Sequence, residues 1–226
     1  MIRVLARLVA DAVLIGILLF VSAGTLAWWR AWVLVGLLLL VRTVTAVTVY
    51  RVSPALIRER ARLPLHGDQP WTDKLLLGAI LATGFLGLPV LAGLDVFRWH
   101  ILPRPVPAVS ALGIVLFTLG WGVKALALRA NAFATAVLRL QREREHAVVD
   151  TGVYGIVRHP FYAGTPLVLV GLALWLESSA AVLFAVVPIA CVVVRLVLEE
   201  RFLQSELPGY REYVARVPHR LVPGIW

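Results

Sequence analysis

The sequence predicts an all-α fold, a polytopic membrane helix bundle of about six spans. Hydrophobic residues make up 60% of the 226 residues and charged residues only 15%. The mean hydropathy is +0.86, well outside the range of soluble globular domains. The apolar residues fall in runs close to the roughly 20 helical residues that cross a bilayer. A water-soluble core is therefore not expected, and the chain has little room for a separate soluble domain.

Six apolar runs define the predicted spans, which are Val4–Ala27, Trp32–Tyr50, Leu75–Leu94, Ala108–Leu128, Phe161–Leu176 and Ala180–Leu198. The first run resembles a signal peptide, but its length and the early Asp11 favour a retained anchor. The fifth run is short, and the polar turn at 177–179 separates it from the sixth. The last two spans are therefore predicted to form a tight helical hairpin.

The basic residues predict the orientation. With the amino terminus inside, the inner segments carry 17 of the 22 basic residues, and the outer segments carry only Arg30, Arg98 and Arg104. This asymmetry places both termini in the cytoplasm. The alanine-, valine-, leucine- and arginine-rich composition suggests a multi-pass protein of a bacterial inner membrane. Since topology explains the net charge of +9, no nucleic-acid partner is expected.

Two interfacial segments are predicted between the spans. Trp28, Trp29 and Trp32 are expected in an aromatic belt at the outer interface. On the inner side, Ser53-Pro54 precedes a basic stretch, Ala55–Arg62, that is expected to lie as an amphipathic helix on the leaflet. Attraction to anionic membrane lipids explains this stretch, and admission of a lipid-like substrate is the alternative.

The sequence lacks the motifs of several common metal-binding, nucleotide-binding and hydrolytic sites. The five histidines have neither HxxxH nor HExxH spacing, and Cys191 lies within an apolar run. Neither a metal site nor a disulfide framework is therefore expected. The sequence also contains no GxSxG elbow, P-loop or GxGxxG motif.

Polar and special residues concentrate in the last third of the chain. One group runs from Arg129 to Tyr162, and a second contains Arg195, Glu199 and Glu200 at the end of the sixth span. Arg195 and Glu199 are four residues apart and share a helix face. They could form a surface ion pair, or they could hold an anionic substrate and a cationic or hydroxyl-bearing cofactor.

The string Gly152-Val-Tyr-Gly-Ile-Val-Arg-His-Pro-Phe-Tyr-Ala-Gly164, followed by Arg195-xxx-Glu199-Glu200-xx-Leu203 and Gly209-xxx-Tyr213, resembles the isoprenylcysteine carboxyl methyltransferase family and its phospholipid methyltransferase relatives. The resemblance covers roughly the last 100 residues. It implies S-adenosyl-L-methionine as cofactor, bound between the last helical hairpin and the cytoplasmic connections. The chain is shorter than eukaryotic members, with about six spans instead of eight.

The resemblance also implies site residues. Arg195 matches the arginine at the substrate and is the catalytic candidate. The implied cofactor contacts are Gln141, His146, Ala147, Val148, Val149, Tyr154, His159, Pro160, Phe161, Tyr162 and Glu199. The chain then divides into an amino-terminal bundle, 1–130, and a cytoplasmic cofactor-binding, methyltransferase-like module, 131–226.

The expected function is methylation of a carboxylate on a lipid-like, isoprenylcysteine-type substrate. An ionised carboxylate needs no general base, only a cation such as Arg195 to hold it in line. The alternatives are a phospholipid amine or a small thiol as acceptor, a membrane reductase, and a non-catalytic membrane scaffold.

Overall fold

The computed structural model describes residues 2–60, 69–135, 137, 140–141 and 144–226. Three of the predicted inner basic residues, Arg62, Arg139 and Arg142, lie outside these ranges. The described residues form eight helices and no strand. The helices are α1 (Ile2–Ala23), α2 (Trp29–Val52), α3 (Pro54–Arg60), α4 (Trp71–Trp99), α5 (Pro107–Ala130), α6 (Pro160–Trp175), α7 (Ser179–Glu206) and α8 (Tyr210–Arg216).

The predicted all-α membrane fold is confirmed. Helices α1, α2, α4, α5 and α7 are long and apolar enough to cross a membrane, whereas α6 has only 16 residues. The outward faces carry exposed apolar side chains, such as Leu14, Leu40, Leu81, Leu112 and Leu119. Such faces suit lipid contact, since exposure to water would be unfavourable. The chain is therefore a multi-pass membrane protein.

A partly buried ion pair joins the first two spans. Asp11, which interrupts the first apolar run, accepts a hydrogen bond of 2.5 Å from Arg42 of α2. A single charge inside the bilayer is costly, and pairing the two reduces that cost. The two charges therefore help to fix how α1 packs on α2.

The aromatic belt differs from the prediction at one position. Trp29 and Trp32 are exposed, as an interfacial belt requires, but Trp28 is only 4% exposed. Its ring packs edge-on against Phe97, with the ring centroids 5.0 Å apart. Trp28 is thus a core residue, because the turn between α1 and α2 directs it inward.

Helix α6 packs most extensively against α5. The chain reverses at 176–178 between α6 and α7, as predicted, but the tightest helix pair is α5 with α6. Four glycines, Gly113, Gly120, Gly164 and Gly171, let these two backbones approach closely. Small residues commonly allow such approach between membrane helices. This packing brings the end of α5 beside the start of α6.

Replacing Gly120 by alanine is expected to destabilise the protein. The added Cβ would lie 2.7 Å from the carbonyl oxygen of Gly164, so the helices must separate. We expect a cost of about 1–3 kcal/mol, measured as a lower thermal unfolding midpoint in detergent. Gly122→Ala on the same helix is the matched control, because nothing lies within 4 Å of its added Cβ. Equal midpoints for the two variants would contradict this packing argument.

The alternation of the spans brings several helix ends to one face of the bundle. The ends of α2, α5 and α7 lie there with the beginnings of α4 and α6, as the contacts between Asp73 and Arg195 and between Arg60 and Ala134 require. The short helix α3 begins at Pro54, as predicted, and buries Leu56 against this end of the bundle. We call this face the site end.

Candidate functional site

A cavity opens at the site end, between the segment after α5, the start of α6 and the last turns of α7. The candidates that line it are His146, Ala147, Val148, Val149, Tyr154, His159, Phe161, Tyr162, Arg195 and Glu199. Residues that the resemblance did not mark as contacts also line it, among them Arg60, Asn131, Phe133, Tyr210 and Tyr213. The two polar arms of the sequence therefore meet in one cavity.

Two candidates do not line this cavity. Gln141 is fully buried, where its amide donates to the Phe133 carbonyl at 2.7 Å and accepts from Arg144 at 2.5 Å. Pro160 is buried at the first turn of α6, where its missing N–H leaves no helix hydrogen bond unmade. Gln141 thus stabilises the segment that contains Phe133. The assignments of Gln141 and Pro160 as cofactor contacts stay predictions.

A chain of hydrogen bonds links α4, α6 and α7 beside the cavity. Asp73 accepts from Nε of Arg195 at 2.7 Å, and the Arg195 guanidinium donates to the Tyr162 hydroxyl at 2.8 Å. Tyr162 in turn donates to Glu199 at 2.5 Å. Arg195 is only 7% exposed, so it is not half of a surface ion pair. The tyrosine hydroxyl instead connects the two charged residues that the sequence placed on one helix face.

A second ionic network fixes the segment that precedes α6. Glu200, which is 2% exposed, accepts from Arg158 at 2.5 Å and also from Arg220. The main-chain N–H groups of Arg158 and His159 donate to the carbonyls of His219 and Arg220, each at 2.9 Å. The last residues of the chain therefore hold the His159 segment in place.

Burial favours the neutral forms of a histidine and two tyrosines that line the cavity. It lowers the pKa of His159, although the nearby carboxylates of Glu199 and Glu200 oppose that shift. It raises the pKa of Tyr154 to about 12, and the pKa of Tyr210 is also raised by burial. Near neutral pH these groups donate and accept hydrogen bonds, while His159 is a weak base.

The cavity fits the cofactor that the resemblance implies. The Phe133 and His146 rings are stacked, with centroids 4.5 Å apart, and form an aromatic surface. Along the cavity-lining segment 147–149, the main-chain groups make no hydrogen bond to other described residues. Glu199 supplies a carboxylate that accepts, among those residues, only from Tyr162. Aromatic rings, open main-chain groups and a carboxylate are suited to a nucleoside that carries a positive charge.

Two residues of this site were not singled out from the sequence. Asp73 lies in the first turn of a span, where the helix dipole already accounts for an acidic residue. Arg60 belongs to the stretch that was interpreted as binding lipid headgroups. In the sequence, each of these two residues is only a charge close to a span, and the membrane topology also explains such a charge.

Comparison with known proteins gives consistent matches. The family described as Phospholipid methyltransferase matches residues 108–208. Protein-S-isoprenylcysteine O-methyltransferase B of Arabidopsis thaliana is 34% identical over 113 residues, which cover 49% of this chain and 57% of that protein. Protein-S-isoprenylcysteine O-methyltransferase A of the same plant is 29% identical over 162 residues, which cover 69% of this chain and 80% of that protein.

A solved structure shares the fold. The eukaryotic intramembrane Ras methyltransferase, isoprenylcysteine carboxyl methyltransferase, superposes with a TM-score of 0.58 at 18% identity, covering 97% of this chain and 75% of that chain. The protein is therefore a multi-pass membrane protein with the fold of that enzyme. The relationship predicted from the Gly152–Gly164 string, to the isoprenylcysteine carboxyl methyltransferase family and its phospholipid methyltransferase relatives, is confirmed. The first plant relative is matched over little more than half of its length.

Proposed function

We propose that this chain is an integral membrane methyltransferase that uses S-adenosylmethionine to methylate a carboxylate on a lipid-like, isoprenylcysteine-type acceptor. The observation that carries the proposal is that one cavity is lined by all the implied contact residues except Gln141 and Pro160. The named activity of the plant relatives supports the same acceptor class.

Methyl transfer requires the protein mainly to align the two reactants and to balance the charge of the cofactor. S-adenosylmethionine, when bound, supplies an electrophilic methyl group on a sulfonium and leaves as a neutral thioether. The acceptor's carboxylate oxygen donates the electron pair for the new O–CH₃ bond, and no proton is transferred. Glu199 offers a carboxylate to the cationic cofactor, and the aromatic side chains exclude water from the reacting groups.

We place the site end in the cytoplasm of a bacterium, with both termini inside. The ends of α2, α3 and α5 carry basic residues at this face, which agrees with the positive-inside rule. In this arrangement the cofactor enters from the water side, and the lipid-like acceptor enters laterally from the membrane.

A phospholipid amine is the second candidate acceptor, because the matching family is described by that activity. An ammonium group must lose a proton before it attacks, and His159 would be the base. Burial lowers the pKa of His159, so it would be a weak base, and this favours the carboxylate.

A transfer assay on the purified wild-type protein tests the proposal. Radiolabelled S-adenosylmethionine would be offered with an N-acetyl S-farnesyl cysteine, its carboxamide, phosphatidylethanolamine and a long-chain thiol. We expect label on the free carboxylate alone, in a base-labile ester. Label on the amine or the thiol would instead identify that group as the methyl acceptor. Absence of cofactor binding by calorimetry would exclude a methyltransferase and leave the reductase or the scaffold.

A further inference from the structure

Arg60 of helix α3 places a positive charge in the cavity. It lies at the end of α3, lines the cavity, and donates to the carbonyl of Ala134 at 2.5 Å. Its guanidinium carbon is 4.8 Å from the centroid of the Phe161 ring. Among the described residues Arg60 has no other hydrogen bond and no acidic partner. Most of its donors are therefore open to a ligand.

Arg195 is bound differently, although it lines the same cavity. Its guanidinium contacts Asp73 through two nitrogens, at 2.7 and 3.5 Å, and uses a third to reach Tyr162. Asp73 compensates its charge, and few of its five N–H donors are left for a substrate. Arg195 is thus built to orient Tyr162 and, through it, Glu199.

The cavity thus contains both an acidic and a basic side chain. Glu199 is the acidic one, and Arg60 is a basic one that has no acidic partner among the described residues. Lys124 contacts the same Phe161 ring, with its Nζ 3.8 Å from the ring centroid, and donates to Thr165 at 2.7 Å. Burial and neighbouring cations lower the pKa of Arg60 to about 10, so it is still charged at neutral pH.

We propose that Arg60 binds the carboxylate of the methyl acceptor and so selects an anionic over a neutral acceptor, while Arg195 positions Tyr162 and Glu199. This inference rests on the proposed function. A planar guanidinium can hold a carboxylate with two parallel hydrogen bonds, which fixes the oxygen that attacks. The short helix α3 is then part of the acceptor site and not only a surface contact for lipid headgroups.

The test compares Arg60→Gln, Arg60→Lys and the control Arg58→Gln, which removes an exposed arginine from the same helix. Calorimetry would measure the affinity of each protein for N-acetyl S-farnesyl cysteine and for its carboxamide, and kinetics would give KM and kcat. We expect Arg60→Gln to weaken carboxylate binding about 10- to 100-fold, as loss of hydrogen bonds to a charged group does, and to leave carboxamide binding unchanged. Arg60→Lys should recover part of the loss, and Arg58→Gln should behave as wild type.

Two results would overturn the inference. Equal losses for carboxylate and carboxamide would mean that Arg60 only supports the Ala134 segment, and unchanged carboxylate binding would remove Arg60 from the site. Cofactor affinity is measured in parallel on each variant. If wild-type protein binds neither cofactor nor acceptor, the proposed function itself has failed. If wild type binds both and Arg60→Gln is indistinguishable from it, only the assignment of Arg60 has failed.

Discussion

Replacing Glu199 by glutamine is expected to lower the affinity for S-adenosylmethionine by at least about 30-fold, since truncating one member of a desolvated charge pair costs about 2–5 kcal/mol. The substitution keeps the side-chain size and leaves the Tyr162 hydroxyl a neutral acceptor in place of a carboxylate. Calorimetric titration of purified protein measures the effect. The demethylated product should be titrated as well, because it lacks the sulfonium charge. A smaller loss for the product would indicate that Glu199 faces the sulfonium.

The control for this experiment is Glu212→Gln, which removes a carboxylate from the exposed face of α8. It should bind the cofactor as wild type does. His159→Ala tests a second residue of the cavity, since His159 is 6% exposed and belongs to the segment fixed by the last residues of the chain. Binding of equal affinity by wild type, Glu199→Gln and His159→Ala would remove the site assignment.

Replacing Asp73 by asparagine is expected to destabilise the protein by about 3–5 kcal/mol, the usual cost of leaving one member of a buried ion pair without its partner. Both side chains of the pair are more than nine-tenths buried, and the contact is 2.7 Å. Denaturant unfolding in mixed micelles would measure the loss. Transfer activity should fall as well, because Arg195 would no longer be held against Tyr162.

A double-mutant cycle separates the pair from its surroundings. Combining Asp73→Asn with Arg195→Gln should recover part of the lost stability, since both buried charges are then absent. The exposed pair between Asp150 and Arg216 is the matched comparison, with side chains 42% and 59% exposed. Asp150→Asn should cost no more than about 1 kcal/mol. Equal costs for the two aspartates, or additive effects in the cycle, would contradict a coupled buried pair.

Much of the fold follows from local composition. Hydropathy predicts the spans because a bilayer requires long, apolar, internally hydrogen-bonded segments whatever their neighbours are. The helical spacing of Arg195 and Glu199 likewise predicts their common face. The burial of Trp28 could not be predicted in this way, because tryptophan suits both an interface and a core. The pairing of α5 with α6 depends on four glycines that meet only when two helices are packed.

The same distinction between local sequence and tertiary packing applies to the candidate site. The sequence by itself determined a membrane bundle whose polar residues gather in its last third, and its motif predicted the contacts from His146 to Tyr162 and at Glu199. Only the tertiary structure decided which residues Arg195 contacts, because its partner Asp73 lies 122 residues away on α4. It also placed Arg60 at the cavity, where its guanidinium contacts Ala134, which is 74 residues away along the chain. Charge pairing depends on distance in space, and sequence patterns report only distance along one helix.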